Sequence, residues 1–358
     1  MRFFCSLFIL SLVLSATNAS AIQIKRITNN DYADKDVSIN NHGHLSWGGW
    51  TTGSFSEQDL FWYDGKNINQ VTNDHSGMRP RYIVDSDDIS IVKKSSKTYL
   101  YDQNNPPALI ANEIASNYSM DNNSNMTWSN HSIRFYNHSS GSMTTYSLGS
   151  QYNVVHAKLS GNNRMTVRYY DTDPVTNLSR SCVGLYDYVN DVFTPIVSRT
   201  ITSNSFLSMP WVSYTDNTDV VLYYYKDDGS DLFHVMQWIA DTGETKDVWQ
   251  FNQSSPYIFI NQSPNGRFIT YALDGEIYLV DLVLDKMYAI TNDDLTDLSP
   301  SVNNYGELAW IRDFDNVGNS SGYEVAMSTS AIPIPEPATF MLIGLSYFAL
   351  MIKRKFSK

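Results

Sequence analysis

The chain has 358 residues, with 25 Lys and Arg against 37 Asp and Glu, a formal net charge of -12, and 42% hydrophobic residues. That is enough apolar material for a sizeable core, and the acidic balance excludes nucleic acid as a partner, because phosphate binding needs clustered cations. Only two cysteines, Cys5 and Cys182, are present, so no disulfide framework holds the fold.

Met1-Arg2, an almost unbroken apolar run from Phe3 to Val13, and the small-x-small sequence Ala19-Ser20-Ala21 read as a secretory signal peptide over residues 1–21. The run is short for a spanning helix, which needs about 20 apolar residues. The mature chain is therefore expected to start near Ile22 and to keep Cys182 as a small, buried apolar group. Setting aside Arg2, Lys353, Arg354, Lys355 and Lys358 leaves 20 basic against 37 acidic residues.

Residues 27–47 align without a gap on residues 290–310, both running I-T-N-x-D-x-x-D and ending N-N-x-G-x-L-x-W. Two such copies at opposite ends of a domain are what a circular repeat produces. Weaker copies lie between them. Second-strand segments start at His44, Asp88, Asn125, Arg164, Asp219, Arg267 and Glu307, spaced by 44, 37, 39, 55, 48 and 40 residues, close to the roughly 40–50 of one four-stranded blade. Third-strand segments rich in aromatic and β-branched residues follow each of them, as at Leu60–Tyr63, Thr98–Tyr101, Ile133–Tyr136 and Ile277–Val280, with Asn, Asp and Gly at the breaks. No long helical pattern interrupts residues 22–330.

The last unit lacks a fourth strand before a proline-rich stretch, and Ile22–Thr28 is expected to supply it, which would remove the free edges of an open array. The expected fold is all-β, a seven-bladed β-propeller over residues 22–330 closed by an N-terminal strand, with a C-terminal hydrophobic helix. The I-T-N and V-T-N segments at Ile290 and Val71, followed by Ser299-Pro300 and the Ser263-Pro264-Asn265-Gly266 turn, resemble the TolB-like and WD40-like bacterial propellers, which implies the same architecture.

Residues 331–337 form a linker and residues 338–358 a hydrophobic segment with a basic end. The fifteen apolar residues from Ala338 to Ile352 give about 22 Å of helix, a marginal span against a ~30 Å hydrocarbon core, and Lys353-Arg354-Lys355 would stay on the cytoplasmic side. Pro335, Glu336 and Pro337, an apolar helix and a terminal basic cluster, in that order, resemble the PEP-CTERM sorting signal of Gram-negative bacteria. The resemblance implies an exosortase-type processing enzyme as partner, transient membrane contact through an inner-membrane-anchored intermediate, release to the cell surface or outside, and association with exopolysaccharide.

Trp47, Trp128 and Trp310 share one place in the second strand and are expected to fill the gap between blades. The acidic groups Asp31, Asp34 and Asp36; Asp171 and Asp173; Asp227, Asp228 and Asp231; and Asp313, Asp315 and Asn316 offer oxygen ligands of the kind Ca²⁺ takes. None follows an EF-hand order, and turn capping explains them. No cofactor or metal is expected. The histidines, His42, His44, His75, His131, His138, His156 and His234, show no zinc spacing, and no nucleophile elbow, phosphate loop or dinucleotide fingerprint occurs. A glycosidase would need two carboxylates about 5–9.5 Å apart, which no local pattern identifies. The sequence therefore leads to the expectation of no enzyme and no catalytic residues. It points instead to an exported binding or scaffold protein presenting loops to a polysaccharide or an envelope protein, with a secreted carbohydrate-active enzyme or a periplasmic protein-interaction module as the alternatives.

Overall fold

The protein is described by a computed structural model over residues 22–52, 57–73, 75, 79–85, 89–93, 97–102, 105–112, 119–129, 131–159, 163–201, 211–215, 218–226, 230–252, 260–315 and 322–328. Lys25–Met327 form one compact unit. Every regular element among the described residues is a strand, and the strands make seven four-stranded sheets. The first contains Asp34–Ile39, Leu45–Gly49, Asp59–Tyr63 and Ile68–Gln70. The second contains Arg79–Ile83, Ile89–Lys93, Lys97–Asp102 and Asn105–Ala111, and the third Ser119–Met120, Met126–Ser129, Ile133–Asn137 and Ser142–Tyr146. Asn153–Leu159, Arg164–Thr172, Ser179–Asp187 and Val192–Thr200 form the fourth; Trp211–Thr215, Thr218–Lys226, Leu232–Ile239 and Thr245–Asn252 form the fifth. The sixth holds Ile260–Gln262, Phe268–Leu273, Glu276–Asp281 and Lys286–Ala289, and the seventh Thr296–Val302, Leu308–Asp313, Tyr323–Ser328 and Ile24–Arg26.

First strands pack on the sheets beside them, Asp34–Ile39 against both Arg79–Ile83 and Thr296–Val302, so apolar residues of neighbouring sheets share a core. Trp47, Phe61 and Tyr63 pack with Ala309, Ile311 and Val325 between the first and seventh sheets; Phe233 and Phe251 pack with Ile260 and Tyr271 between the fifth and sixth. This is an all-β, propeller-type arrangement in which each sheet buries both faces.

The repeated residues turn out to be hydrogen-bonding devices. Asn40 Oδ1 accepts from the amides of His42 and His44, both at 3.0 Å, and Asn303 Oδ1 accepts from those of Tyr305 and Glu307, also at 3.0 Å. The turns close on Gly43 and Gly306 at φ +74° and +79°, where a side chain would be strained. At each I-T or V-T pair the chain leaves an outer strand and ties back to the third strand of the same sheet. The amides of Ile27, Val71 and Ile290 donate to the carbonyls of Val325, Leu60 and Ile277, each at 2.8 Å. Thr28, Thr72 and Thr291 accept at Oγ1 from the amides of Val325, Leu60 and Ile277 at 2.8–2.9 Å. Threonine supplies the oxygen where the outer strand has ended.

Two parts of the expected architecture are corrected. The strand expected over Ile22–Thr28 is confined to Ile24–Arg26, because Ile27 and Thr28 leave the ladder to form this tie. The C-terminal hydrophobic helix is not an element of the described fold: residues 329–358 lie outside the described residues, and among the described residues no helix is long and apolar enough to cross a membrane. The expected signal peptide over residues 1–21 also lies outside them.

Candidate active site

In a four-stranded antiparallel sheet the turn between strands two and three lies at the same end as the connection to the next sheet. At that end of the first sheet, Thr51 follows the second strand, Asp59 opens the third, and His75 lies in the connection. The Asp59 side chain is fully buried, whereas the His75 ring is 42% exposed. Asp59 Oδ2 accepts from Thr51 Oγ1 at 2.6 Å and from His75 Nδ1 at 2.9 Å, and Oδ1 accepts from the His75 amide at 3.2 Å and Thr72 Oγ1 at 3.4 Å. Thr51 Oγ1 also lies 3.1 Å from His75 Nδ1. With its proton directed at Asp59, the threonine oxygen can share the Nδ1 proton, and both contacts favour the tautomer that leaves Nε2 unprotonated. His75 adopts φ +51°, an αL conformation of a kind that costs about 1–3 kcal/mol in a non-glycine residue and persists where its surroundings hold it.

A cation lies at the same end of the first sheet, where Lys35 stands across from Gly48 in the ladder. Lys35 Nζ lies 4.1 Å from the Tyr323 ring centre and 5.1 Å from that of Trp50. Burial lowers the lysine pKa, with Asp36 acting the other way. Trp50, whose amide donates to the Ala33 carbonyl at 2.9 Å, immediately precedes Thr51, so consecutive residues touch the lysine and the histidine. Behind them sits a buried acidic layer. Asp34 accepts from Trp47 Nε1 at 3.0 Å and Asn30 Nδ2 at 3.3 Å, and burial raises its pKa to about 7. Glu324 accepts from Arg26 at 3.1 Å and the Asn30 amide at 2.9 Å. Burial, followed by the charges of Asp34, Glu324 and Asp59, raises the Tyr32 phenol, so Tyr32 stays protonated.

The other described residues singled out in the sequence, His156 aside, have packing, pairing or turn roles. Trp47, Trp128 and Trp310 are fully buried. Asp171 and Asp173 are paired with Arg180 at 2.7 and 3.0 Å, and Asp231 with Lys226 at 2.9 Å. Asp36 sits at φ +55° where the register shifts between Lys35 and Ser38. Asp31 and Asp315 are exposed and Asp313 is buried; Asp227, Asp228 and Asn316 lie outside the described residues, as do Pro335, Glu336 and Pro337. Cys182 is buried, its thiol pushed up to about 12 chiefly by burial. His42 and His44 pack ring against ring, with His44 edge-on to Trp62. The His131 ring contacts Asn153 at 2.8 Å, and the His138 ring packs against Tyr136. His234 pairs with Asp247 at 2.6 Å, but its ring is stacked on Tyr225 within the fifth sheet. Among the described residues no three His, Cys, Asp or Glu side chains converge as a metal site.

Sequence reasoning gave His75 no role and passed over Thr51, Asp59 and Lys35. They are 8, 16 and 24 residues apart in their closest pairings with His75 and Asp59, and no short motif spans such distances. The one legible hint was Asp59 directly before the apolar third strand.

No protein-family model matches the chain, and no curated protein matches it. Solved structures do. An oligogalacturonate lyase in complex with manganese matches at TM-score 0.60 and 10% identity, over 88% of this chain and 94% of that one. An oligogalacturonate lyase from Vibrio parahaemolyticus matches at TM-score 0.61 and 9% identity, over 87% and 94%. A puromycin-hydrolyzing peptidase from Mycobacterium tuberculosis matches at TM-score 0.54 and 8% identity, over 79% of this chain and 49% of that one. The expectation of no enzyme is corrected by these matches: the architecture is shared with a lyase and a peptidase, and a propeller assembles catalytic groups from separate turns, so missing local motifs do not argue against catalysis. The chain has a β-propeller-type fold loosely related to those of propeller enzymes, at identities that establish the fold alone.

Proposed function

We propose that this is an exported carbohydrate-active enzyme that removes a proton from a uronate-containing saccharide, with His75 as the base. The observation that carries the reading is the buried Asp59 carboxylate holding Nδ1 of a half-exposed histidine, which leaves Nε2 as the acceptor. The proton beside a sugar carboxylate becomes acidic when a cation neutralises that carboxylate, and Lys35 is a cation at this end of the sheet. His75 Nε2 takes the ring proton, and as the electron pair of that C–H bond forms a double bond to the next carbon, the bond from that carbon to the glycosidic oxygen breaks. The oxygen leaves with the electron pair of that bond and takes up a proton. Asp59 stabilises the imidazolium formed in between. The match to oligogalacturonate lyases supports an acidic saccharide as the substrate class, and favours the carbohydrate-active reading over that of a scaffold.

The full chain incubated with polyuronates should generate ultraviolet-absorbing unsaturated ends, and none with neutral glucans. His75→Gln should lower kcat/KM about 10²–10⁴-fold while leaving the unfolding midpoint near that of the wild type. An unchanged kcat/KM in His75→Gln, or product from neutral glucans alone, overturns the assignment.

Export belongs to the same proposal. The signal peptide over residues 1–21 and the tail containing Pro335, Glu336 and Pro337 would take the protein to the cell surface or beyond, with an exosortase-type enzyme trimming it. Mass analysis of released protein should find an N-terminus near Ile22 and no residues from 338–358; retention of that segment in released material contradicts the sorting step.

A further inference from the structure

The fourth sheet carries a concentration of positive charge in an otherwise acidic protein. On the strand Asn153–Leu159, Val154, Ala157 and Leu159 pack with Ile133 and Phe135 of the third sheet, as do Met165, Val167 and Tyr169 from the next strand. Alternation then turns His156, Lys158 and Arg168 to the opposite face, the one whose Val183 and Leu185 pack with Val221 and Tyr223 of the fifth sheet. His156 stands directly across from Arg168 in the ladder, and Lys158 lies two residues further along the same strand, across from Thr166. The innermost strand of the fifth sheet, Trp211–Thr215, packs over both strands.

Three basic side chains thus share one seam between two sheets. Burial is the main cause of the lowered pKa of each, and Arg168 and Lys158 push His156 down further, to about 3. The arrangement opposes itself: each group loses hydration, and Arg168 and Lys158 both disfavour a charge on His156. The guanidinium is nevertheless held in a fixed orientation, with Nη2 donating to Tyr170 Oη at 2.9 Å and Nε to Ser181 Oγ at 3.4 Å. His156 Nδ1 is buried and has no hydrogen-bond partner among the described residues, an arrangement that native interiors seldom tolerate unless a further group completes it.

We infer that His156, Lys158 and Arg168 form an oxyanion-binding site in the seam between the fourth and fifth sheets. A planar guanidinium, an ammonium and an imidazole N–H suit a small oxyanion with two or three oxygens. A sugar carboxylate and an inorganic sulfate present the same chemistry. The site is separate from His75, and its test does not depend on activity.

The full chain should be melted in sulfate, in a monomeric uronate and in chloride at matched ionic strength. Sulfate or uronate should raise the midpoint by at least about 2 °C over chloride, and the same titration should move the His156 imidazole resonances in NMR. Lys158→Met should melt higher than wild type in chloride, because it removes a cation that burial disfavours, and should lose the response; Lys158→Gln serves if the first variant misfolds. His75→Gln should keep the response in full. A response to uronate alone would identify a sugar acid, and a response to both would identify oxyanions generally. Equal midpoints in all three salts, or a full response in the lysine variants, would overturn the site.

Discussion

Replacing Trp47 by alanine should lower the unfolding free energy by about 3–5 kcal/mol, the range seen for emptying a buried aromatic position. Trp47 is fully buried and packs in the core shared by the first and seventh sheets, stacked against Phe61 at 5.8 Å. The alanine leaves a cavity and also takes away the indole N–H that donates to Asp34, a buried carboxylate for which a lost donor costs a further ~1–3 kcal/mol. Trp47→Phe separates the two effects, since it retains most of the ring volume and removes only the donor. Trp310→Ala should behave alike, because Trp310 is equally buried and donates to Asp297 at 2.7 Å. Urea unfolding of the three variants measures this; losses below about 1 kcal/mol for both alanine variants would show that the sheets close over the vacated volume.

Asp34→Asn should gain stability relative to wild type as pH rises from about 4 to about 7. Burial raises Asp34 from 3.8 to about 7 and Asp297 from 3.8 to about 6, so the folded state holds these protons more tightly than the unfolded chain. The stability they contribute is complete below about pH 4 and is lost as pH passes through 6 and 7. For Asp34 the rise corresponds to an upper figure on the order of 4 kcal/mol, at about 1.4 kcal/mol per pH unit. His156 works in the opposite sense. Lowered from 6.5 to about 3, it is neutral when folded and adds stability as pH rises from about 3 to 6.5, so in the wild-type profile it offsets only part of the loss from the two carboxylates. The difference between wild type and Asp34→Asn isolates the carboxylate, because His156 is common to both. Chemical denaturation at pH 4, 5.5 and 7 reads it; a difference that stays constant with pH would mean that Asp34 is ionised throughout.

Strands and turns were legible because their causes are local. Each of the seven second-strand segments, from the one starting at His44 to the one starting at Glu307, overlaps the second strand of its sheet, five of them beginning one residue before it. The N-N-x-G turns cap their own amides as the residue types require. The I-T pairs were visible as a repeat, but their reason was not: Thr28 reaches Val325, 297 residues away in the chain. The acidic turns could be seen as turns, whereas nothing local distinguished Asp34, buried behind an indole, from Asp173, held near the surface by Arg180.

The candidate chemistry was the least legible part. Thr51, Asp59 and His75 belong to a turn, a strand end and a connection, and His156 and Arg168 to neighbouring strands paired through a register that includes a bulge. The amino-acid sequence by itself determined the all-β class, the strand periodicity, the turn chemistry and the acidic surface, since these depend on neighbours a few residues apart. Only the tertiary structure decided which histidine meets a buried carboxylate and which cations share a seam, because those distances are set by strand register and sheet packing between residues that the chain keeps far apart.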